Sequence, residues 1–385
     1  MPSNGLHVTP AVIFVDDGPW ECFFQLAAVI RKARVRTVRI TVGSKKSRAE
    51  CIQFDRNVSL QFSPSAEELA GILSSEFVID VQPSDSLAAL TYAALKLVPP
   101  AQLVSDWNDR TSLLDKWSVT KTLRDRSLCT PDNFLVKAFS PAEAVARLSL
   151  PMVVKRRVGS AGTGVKVFES LELLEEFVMN LQNPDDWFYE RFIHGRSIVC
   201  ASYAGDDGIE VITTYEILKR FDPFGPSVVV EIQDDAKLRE SGRILVNALH
   251  IRGFLCFDII RDSNDVDWIH DINVRVFGTF ALCQLAGFDF IGAYIGDLVG
   301  GTEVRTPDLE LPATRAYLFP NGHRDVFTSG RFGVAPVRTL KWIWSFARLL
   351  GLQYLLCLVL RAFISSLQRN RQRLSSRFSS SSRRR

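Results

Sequence analysis

The sequence predicts a mixed α/β and α+β protein: a small parallel α/β unit at the N-terminus, a larger region built on hairpins, and an apolar, basic helix at the C-terminus. Three observations carry this. Over residues 8–105, short β-branched runs alternate with runs of helical length and periodicity, the pattern of a parallel sheet. From about residue 150, β-rich runs instead come in pairs separated by short polar or glycine turns. From Val326 to the end there are 12 Lys or Arg and no Asp or Glu, so charge alone sets the last segment apart.

In order, "AVIFVDDG" reads as a strand, "PWECFFQLAAVIRKA" as an amphipathic helix and "RVRTVRITVG" as a second strand. "EFVIDVQPS" and "SLAALTYAALKLV" then repeat the strand and helix. No GxGxxG follows the first strand, so a dinucleotide fingerprint is absent. "SDWNDRTSLLDKWSVTKTLRDRSLCTPDNFLV" is a helix running into an extended exit at Pro131. "MVVKRRV" and "GVKVF" are a hairpin around a glycine-rich loop, and "SLELLEEFVMNL" is a helix. "DWFYERFIHG" is a strand and its exit, residues 196–220 hold further strands, and "DDAKLRESGRILVNALHI" has helical spacing. "GFLCFDIIRD" and "DVDWIHDINVRVF" form an antiparallel pair across the turn "DSND".

Composition narrows the function classes. At 46% hydrophobic and 23% charged residues the chain is ordinary globular material, long enough for two or three domains. Seven cysteines without a CxxC pair, and five histidines that do not cluster with them, speak against a disulfide framework or a zinc site and fit a reducing compartment. The net charge of +3 is the sum of a strongly basic end and an acidic body, 34 basic against 43 acidic residues over 1–325. Only the end is suited to an anionic partner, and nucleic acid is not expected. The N-terminus lacks a basic stretch followed by a long apolar run, so no secretory signal is expected and the location expected is cytoplasmic.

Three stretches carry chemistry. Gly159, Ser160, Ala161, Gly162, Thr163 and Gly164 form a loop whose glycines let backbone N–H groups approach an anion, and Lys155 on the entering strand adds a full charge. It is not a Walker A loop, because Lys166 follows Val165 and the next element is a strand. In "HDINVRVFG", period-2 alternation sends Asp271, Asn273 and Arg275 to one face and Ile272, Val274 and Val276 to the other. With Asp258 on the preceding strand, the first two are hard oxygen ligands suited to Mg²⁺ shared with phosphate oxygens, and Arg275 can neutralise a phosphoryl group. His270 alternates to the apolar side and is not a ligand. The third stretch, "WFYERFIHG", alternates as an ordinary edge strand does.

The order and spacing of these stretches resemble the ATP-grasp superfamily. "LLDKWSVTKTLRDRSLCTPDNFLV" is similar to its DK-helix, "PMVVKRRVGSAGTGVKVFES" to its phosphate-loop hairpin, "FYERFIHGRS" to its adenine hinge, and "FDIIRD…DWIHDINVRVFG" to its metal strands ending in E-x-N-x-R. The resemblance implies an N-terminal pre-ATP-grasp domain at 1–105, an ATP-grasp domain of two subdomains at 106–325 with a lid at about 117–188, and a tail at 326–385. It implies Mg·ATP, with Lys116 and Lys155 as nucleotide lysines and Glu190, Arg191, Phe192 and Ile193 as the hinge. Asp258, Asp271 and Asn273 would hold Mg²⁺, Arg275 would contact the phosphoryl group or acyl phosphate, and Lys219 or Arg220 would reach the phosphates. Two departures stand out: the family's ribose-binding acid is replaced by Ser197, and both metal glutamates are aspartates. The implied reaction activates a small-molecule carboxylate as an acyl phosphate and joins it to an amine or similar nucleophile. A kinase of the same fold and a non-catalytic ATP-binding scaffold at a membrane are the alternatives.

The tail holds an apolar stretch over 342–367, but only 12 residues separate Arg348 from Arg361, short of the ~20 needed to cross a bilayer. Trp342, Trp344 and the arginine-rich flank suit a helix lying on an anionic membrane surface, a peripheral site on the inner face; packing against the body is the competing expectation.

Overall fold

A computed structural model describes residues 9–18, 20–43, 54–99, 103–105, 110–159, 162, 164–206, 208–220, 224–225, 227–233, 235–300 and 315–317, and beyond them Trp344, Arg348, Leu350 and Gly351. The N-terminal unit runs β1 (Pro10–Asp16), α1 (Glu21–Lys32), β2 (Arg36–Val42), β3 (Arg56–Leu60), α2 (Ala66–Leu73), β4 (Phe77–Pro83), α3 (Ala88–Leu95). Its four strands lie in the order β3-β2-β1-β4, all parallel, as the alternation predicts. Residues 11–15 and nine successive residues of α1 are buried. A strand covered on both faces must read as a continuous apolar run, and "AVIFV" does. The unpredicted strand β3 and helix α2 complete the unit; Ser65 and Glu68 close a capping box on that helix, an S-x-x-E signal present in the sequence but not read there.

Next come α4 (Lys116–Arg124), β5 (Asn133–Leu135), α5 (Pro141–Leu148), β6 (Met152–Arg156), β7 (Val165–Phe168), α6 (Leu171–Met179) and β8 (Trp187–Arg191). These strands form an antiparallel sheet in the order β5-β8-β6-β7, with its own apolar cluster around Met152, Val154, Leu174 and Tyr189. "MVVKRRV" and "GVKVF" pair as the predicted hairpin, Lys155 opposite Val165. Strand β8 lies between β5 and β6 rather than at an edge, which accounts for its burial at Phe188, Tyr189 and Glu190.

The largest sheet has six strands in the order β13-β12-β9-β10-β11-β14. They are β9 (Arg196–Gly205), β10 (Gly208–Arg220), β11 (Ser227–Gln233), β12 (Gly253–Arg261), β13 (Asp267–Asn273) and β14 (Arg315–Tyr317). Helix α7 (Ala236–Leu249) covers one face together with Val119 and Leu123 of α4. The other face packs Tyr203, Phe254 and Cys256 against α1, α8 (Phe280–Leu285) and α9 (Phe290–Val299), and Leu350 joins this cluster. The N-terminal unit and the large sheet thus share one apolar core. Most of the tail expected to form a helix over 342–367 lies outside the described residues; of its few described residues Trp344 is exposed and Arg348 accepts, through its carbonyl, a hydrogen bond from Lys32 Nζ at 2.8 Å.

Candidate active site

The polar row sits where β12 and β13 pair. Asp258 lies directly opposite Asp271, and Cys256 opposite Asn273. The register steps between Asp258 and Ile259, so that Ile259 faces Ile269 and His270 is the extra residue of a bulge. This corrects the alternation at one point. Ile269 and Ile272, three apart, both enter the apolar cluster under α7, and His270 between them lines a small cavity with Leu113, Val119 and Leu123 of that cluster and with Lys116 and Asp271. Burial, then the Lys155 ammonium, push the His270 pKa down to about 3, so it is neutral at physiological pH. Its carbonyl accepts from Lys155 Nζ at 3.3 Å. A bulge is invisible to a period-2 count.

The two carboxylates differ in charge preference. Burial and the charge of Asp271 push Asp258 up to about 6. Burial also works against ionised Asp271, but the Lys116 ammonium, ion-paired to it, and the Lys155 ammonium together offset burial and hold it below the usual carboxylate range. Asn273 donates to Asp258 Oδ2 at 3.3 Å and accepts from Arg275 Nη2 at 3.2 Å. Two acids and an amide are a donor set that fits Mg²⁺, which takes one or two carboxylates from protein and fills the rest of its shell from phosphate and water. Among the described residues no group of three His, Cys, Asp or Glu is arranged to hold a metal, which leaves no rival centre of the all-protein kind.

Both lysines reach this row. Asp115 caps α4, accepting from Trp117 and Ser118 N–H, and is clamped by Arg157, while Lys116 N–H donates to the Arg157 carbonyl at 2.8 Å. Burial opposes the Asp115 charge, but hydrogen bonds from Arg157 and Ser118 more than offset it and depress its pKa. The Asp of "DK" therefore fixes the start of the helix and Lys116 projects from it. Lys155, from β6, pairs with Glu190 Oε1 at 2.5 Å; both side chains are buried. Burial raises the Glu190 pKa despite Lys155, and its Oε2 finds no hydrogen-bond partner among the described residues.

Around them lie the loop and the hinge. Gly159, Gly162 and Gly164 are described; Ser160, Ala161 and Thr163 lie outside the described residues. Gly162 and Gly164 have φ of +73° and +95°, and a Cβ on Gly162 would run into the Phe224 carbonyl. Glycine is required there both by backbone and by space. Strand β8 ends at Arg191, whose N–H donates to the Asp132 carbonyl at 2.9 Å, so Phe192 and Ile193 emerge beyond the ladder. Ser197 pairs with Ile260, two residues beyond Asp258. The sequence left Lys219 and Arg220 unresolved. Register steps around Lys219 separate the two, and it is Arg220 whose charge acts on Asp258 and His270; Lys219 is exposed.

Arg275 lies just past the end of β13 and is buried. Its Nε and Nη2 donate to Asp85 Oδ1 and Oδ2, each at 2.8 Å, and its guanidinium sits 4.5 Å from the Trp20 ring centroid. Asp85 and Trp20 belong to loops of the N-terminal unit. Neither these residues nor Asp115 and Arg157 emerge from the sequence as site residues; the "D" of DK was the one available signal, and the others follow from packing between units.

This architecture agrees with the comparisons. The sequence model of the ATP-grasp domain matches residues 113–279, and the chain carries an ATP-grasp domain. Solved structures of similar fold include the biotin carboxylase domain of Hydrogenobacter thermophilus 2-oxoglutarate carboxylase, in complex with MgADP, ADP and bicarbonate: 13% identity, TM-score 0.61, covering 77% of this chain and 72% of that one. Bacillus licheniformis L-amino acid ligase has 15% identity and a TM-score of 0.59, with 76% and 74% covered. Staphylococcus aureus N5-carboxyaminoimidazole synthetase, complexed with ADP, has 14% identity and a TM-score of 0.61, with 80% of each chain covered. No curated protein matches the chain by sequence.

Proposed function

We propose that the protein is a Mg·ATP-dependent ligase that activates a small-molecule carboxylate and joins it to an amine, forming a carbon–nitrogen bond. The observation that supports this most is the meeting of Lys116 and Lys155 with Asp258, Asp271 and Asn273 where the glycine-loop sheet faces the six-stranded sheet. The similar structures bound to MgADP or ADP, and the ligase among them, point the same way.

In this reading Lys116 and Lys155 exchange their carboxylate partners for nucleotide phosphates, and the backbone of 190–193 receives the base. Mg²⁺ held by Asp258, Asp271 and Asn273 would neutralise the phosphate oxygens. Arg220, whose charge is felt at Asp258, would balance transferred charge, with Arg275 beside the acceptor. The chain's contribution is position and charge compensation, which needs no nucleophilic Ser or Cys. The substrate carboxylate oxygen attacks the γ-phosphorus, releasing ADP; the amine then attacks the acyl carbon and phosphate leaves. Phosphate release from purified protein, screened with pairs of amino acids, dipeptides and sugar acids, tests this. Release that requires both a carboxylate and an amine supports it; a stable phosphorylated product marks a kinase, and nucleotide binding without turnover marks a scaffold.

The tail is proposed to hold the protein on an anionic membrane surface at the cytoplasmic side, since it carries 12 Lys or Arg and no acid. No helix among the described residues is long and apolar enough to cross a membrane. Sedimentation with anionic and neutral vesicles, for the full chain and a chain ending at Pro336, decides it: retention of the full chain in the supernatant with both lipids overturns the tether.

A further inference from the structure

We infer that Asp85 is a positioning residue for the phosphoryl-transfer row, acting through Arg275; the inference rests on the metal and nucleotide reading above. Asp85 lies in the loop leaving β4, at the C-terminal end of the parallel sheet, 190 residues away from Arg275 in sequence. Both side chains are 11% exposed, and the contact is a two-pronged one in which both carboxylate oxygens are used. Such a fork fixes the plane of the guanidinium as well as its distance. The Trp20 ring closes one face of that plane. Nη1 donates to the Val276 carbonyl at 3.2 Å, and Nη2, besides its bond to Asp85, donates to Asn273 Oδ1, which belongs to the side chain that in turn donates to Asp258 Oδ2. A continuous chain of hydrogen bonds therefore runs from the N-terminal unit through Arg275 and Asn273 to Asp258.

Without the Asp85 charge, the buried guanidinium keeps the Val276 carbonyl and Asn273 Oδ1 as acceptors, each at 3.2 Å, and is drawn toward the Asp258 carboxylate, which already feels its charge and is bonded to the same Asn273 side chain. The Asn273 and Asp258 oxygens are the atoms a cation requires. Asp85 thus keeps Arg275 from occupying the metal ligands, and any shift of the β4 loop is felt at the metal row. Burial works against the Arg275 charge and the Asp85 carboxylate outweighs it, which agrees with this direction of control.

The test uses the full chain and calorimetric binding of ADP with and without Mg²⁺, so it needs no knowledge of the acceptor. In Asp85→Asn, the gain in ADP affinity on adding Mg²⁺ is expected to fall at least tenfold while Mg²⁺-free ADP affinity stays within twofold. Asp85→Glu should retain most of the gain. In Asp85→Asn/Arg275→Gln, which removes the loose cation, the gain should recover relative to the single variant, a non-additivity that general loosening would not produce. Wild-type Mg²⁺ coupling in Asp85→Asn, or equal losses with and without Mg²⁺, overturns the positioning role alone. Wild-type protein that binds no ADP at all overturns the nucleotide reading itself, and this inference with it.

Discussion

Two buried ion pairs of this molecule are built for opposite purposes. In the N-terminal unit Arg39 meets Asp16 through two prongs at 2.7 and 3.0 Å, both side chains are fully buried, and the guanidinium also donates to the Gly18 carbonyl at 3.3 Å. Phe24 and Phe54 lie against it, at 4.9 and 5.7 Å from their centroids. In the candidate active site Lys155 meets Glu190 through one contact, its second bond goes to a backbone carbonyl, and one Glu190 oxygen has no partner among the described residues. The first pair is satisfied from every side and has nothing to exchange. In the proposed function the second is a lysine held in readiness, because a point charge with rotatable donors can leave one anion for another at little geometric cost.

The largest expected effect breaks the first pair. Arg39→Met leaves Asp16 buried without its partner and should destabilise the fold by about 3–5 kcal/mol, read as a lowered denaturant midpoint with no change in m. Equal loss of stability in Lys155→Met would erase the contrast.

Next comes the metal row. Asp271→Asn and Asn273→Ala should each lower Mg²⁺-dependent turnover by roughly 10²–10³, about 2.7–4 kcal/mol of transition-state stabilisation, while the melting temperature stays close to wild type because both side chains point away from the apolar cluster. Wild-type ATP turnover in both would remove the metal assignment.

A smaller effect sharpens the second pair. Lys155→Ala should weaken ATP binding about tenfold or more, a loss of ~1.4 kcal/mol or more. Lys166→Ala should do much less, since Lys166 lies on β7 with its ammonium 5.0 Å from the Phe177 ring centroid. Equal losses by calorimetry would mean that the exit strand, not the entering one, faces the nucleotide.

The mildest is a pH dependence. Asp258 has a raised folded-state pKa, so the native state binds a proton that the unfolded chain has already released; between about pH 4 and 6 stability should therefore fall as pH rises, and the cost is complete above about 6. Cation binding runs the other way, because Mg²⁺ requires the ionised carboxylate. The Mg²⁺-dependent gain in ADP affinity should grow as pH rises through about 6 and lose that growth in Asp258→Asn. A gain independent of pH between 5 and 7 would show that Asp258 is not the titrating ligand.

Much was legible in the sequence because it depends on local periodicity. Continuous apolar runs alternating with helices determined the parallel unit, paired β-rich runs determined the hairpins, and "DK", the strand entering the glycine loop and "D-x-N-x-R" singled out Lys116, Lys155 and Asp271, which the fold brings together. The glycines at 162 and 164 were required by left-handed backbone that only the folded loop displays, yet their identity was already a signal. Tertiary structure alone decided the rest. It set the bulge at His270, the register steps on either side of Lys219, and the partners of each cation: Asp271 for Lys116, Glu190 for Lys155 and Asp85 for Arg275. The physical reason is distance along the chain. A strand's period constrains its own neighbours, whereas an ion pair between residues 85 and 275 exists only once two sheets, each with an apolar cluster of its own, have been brought against a common core.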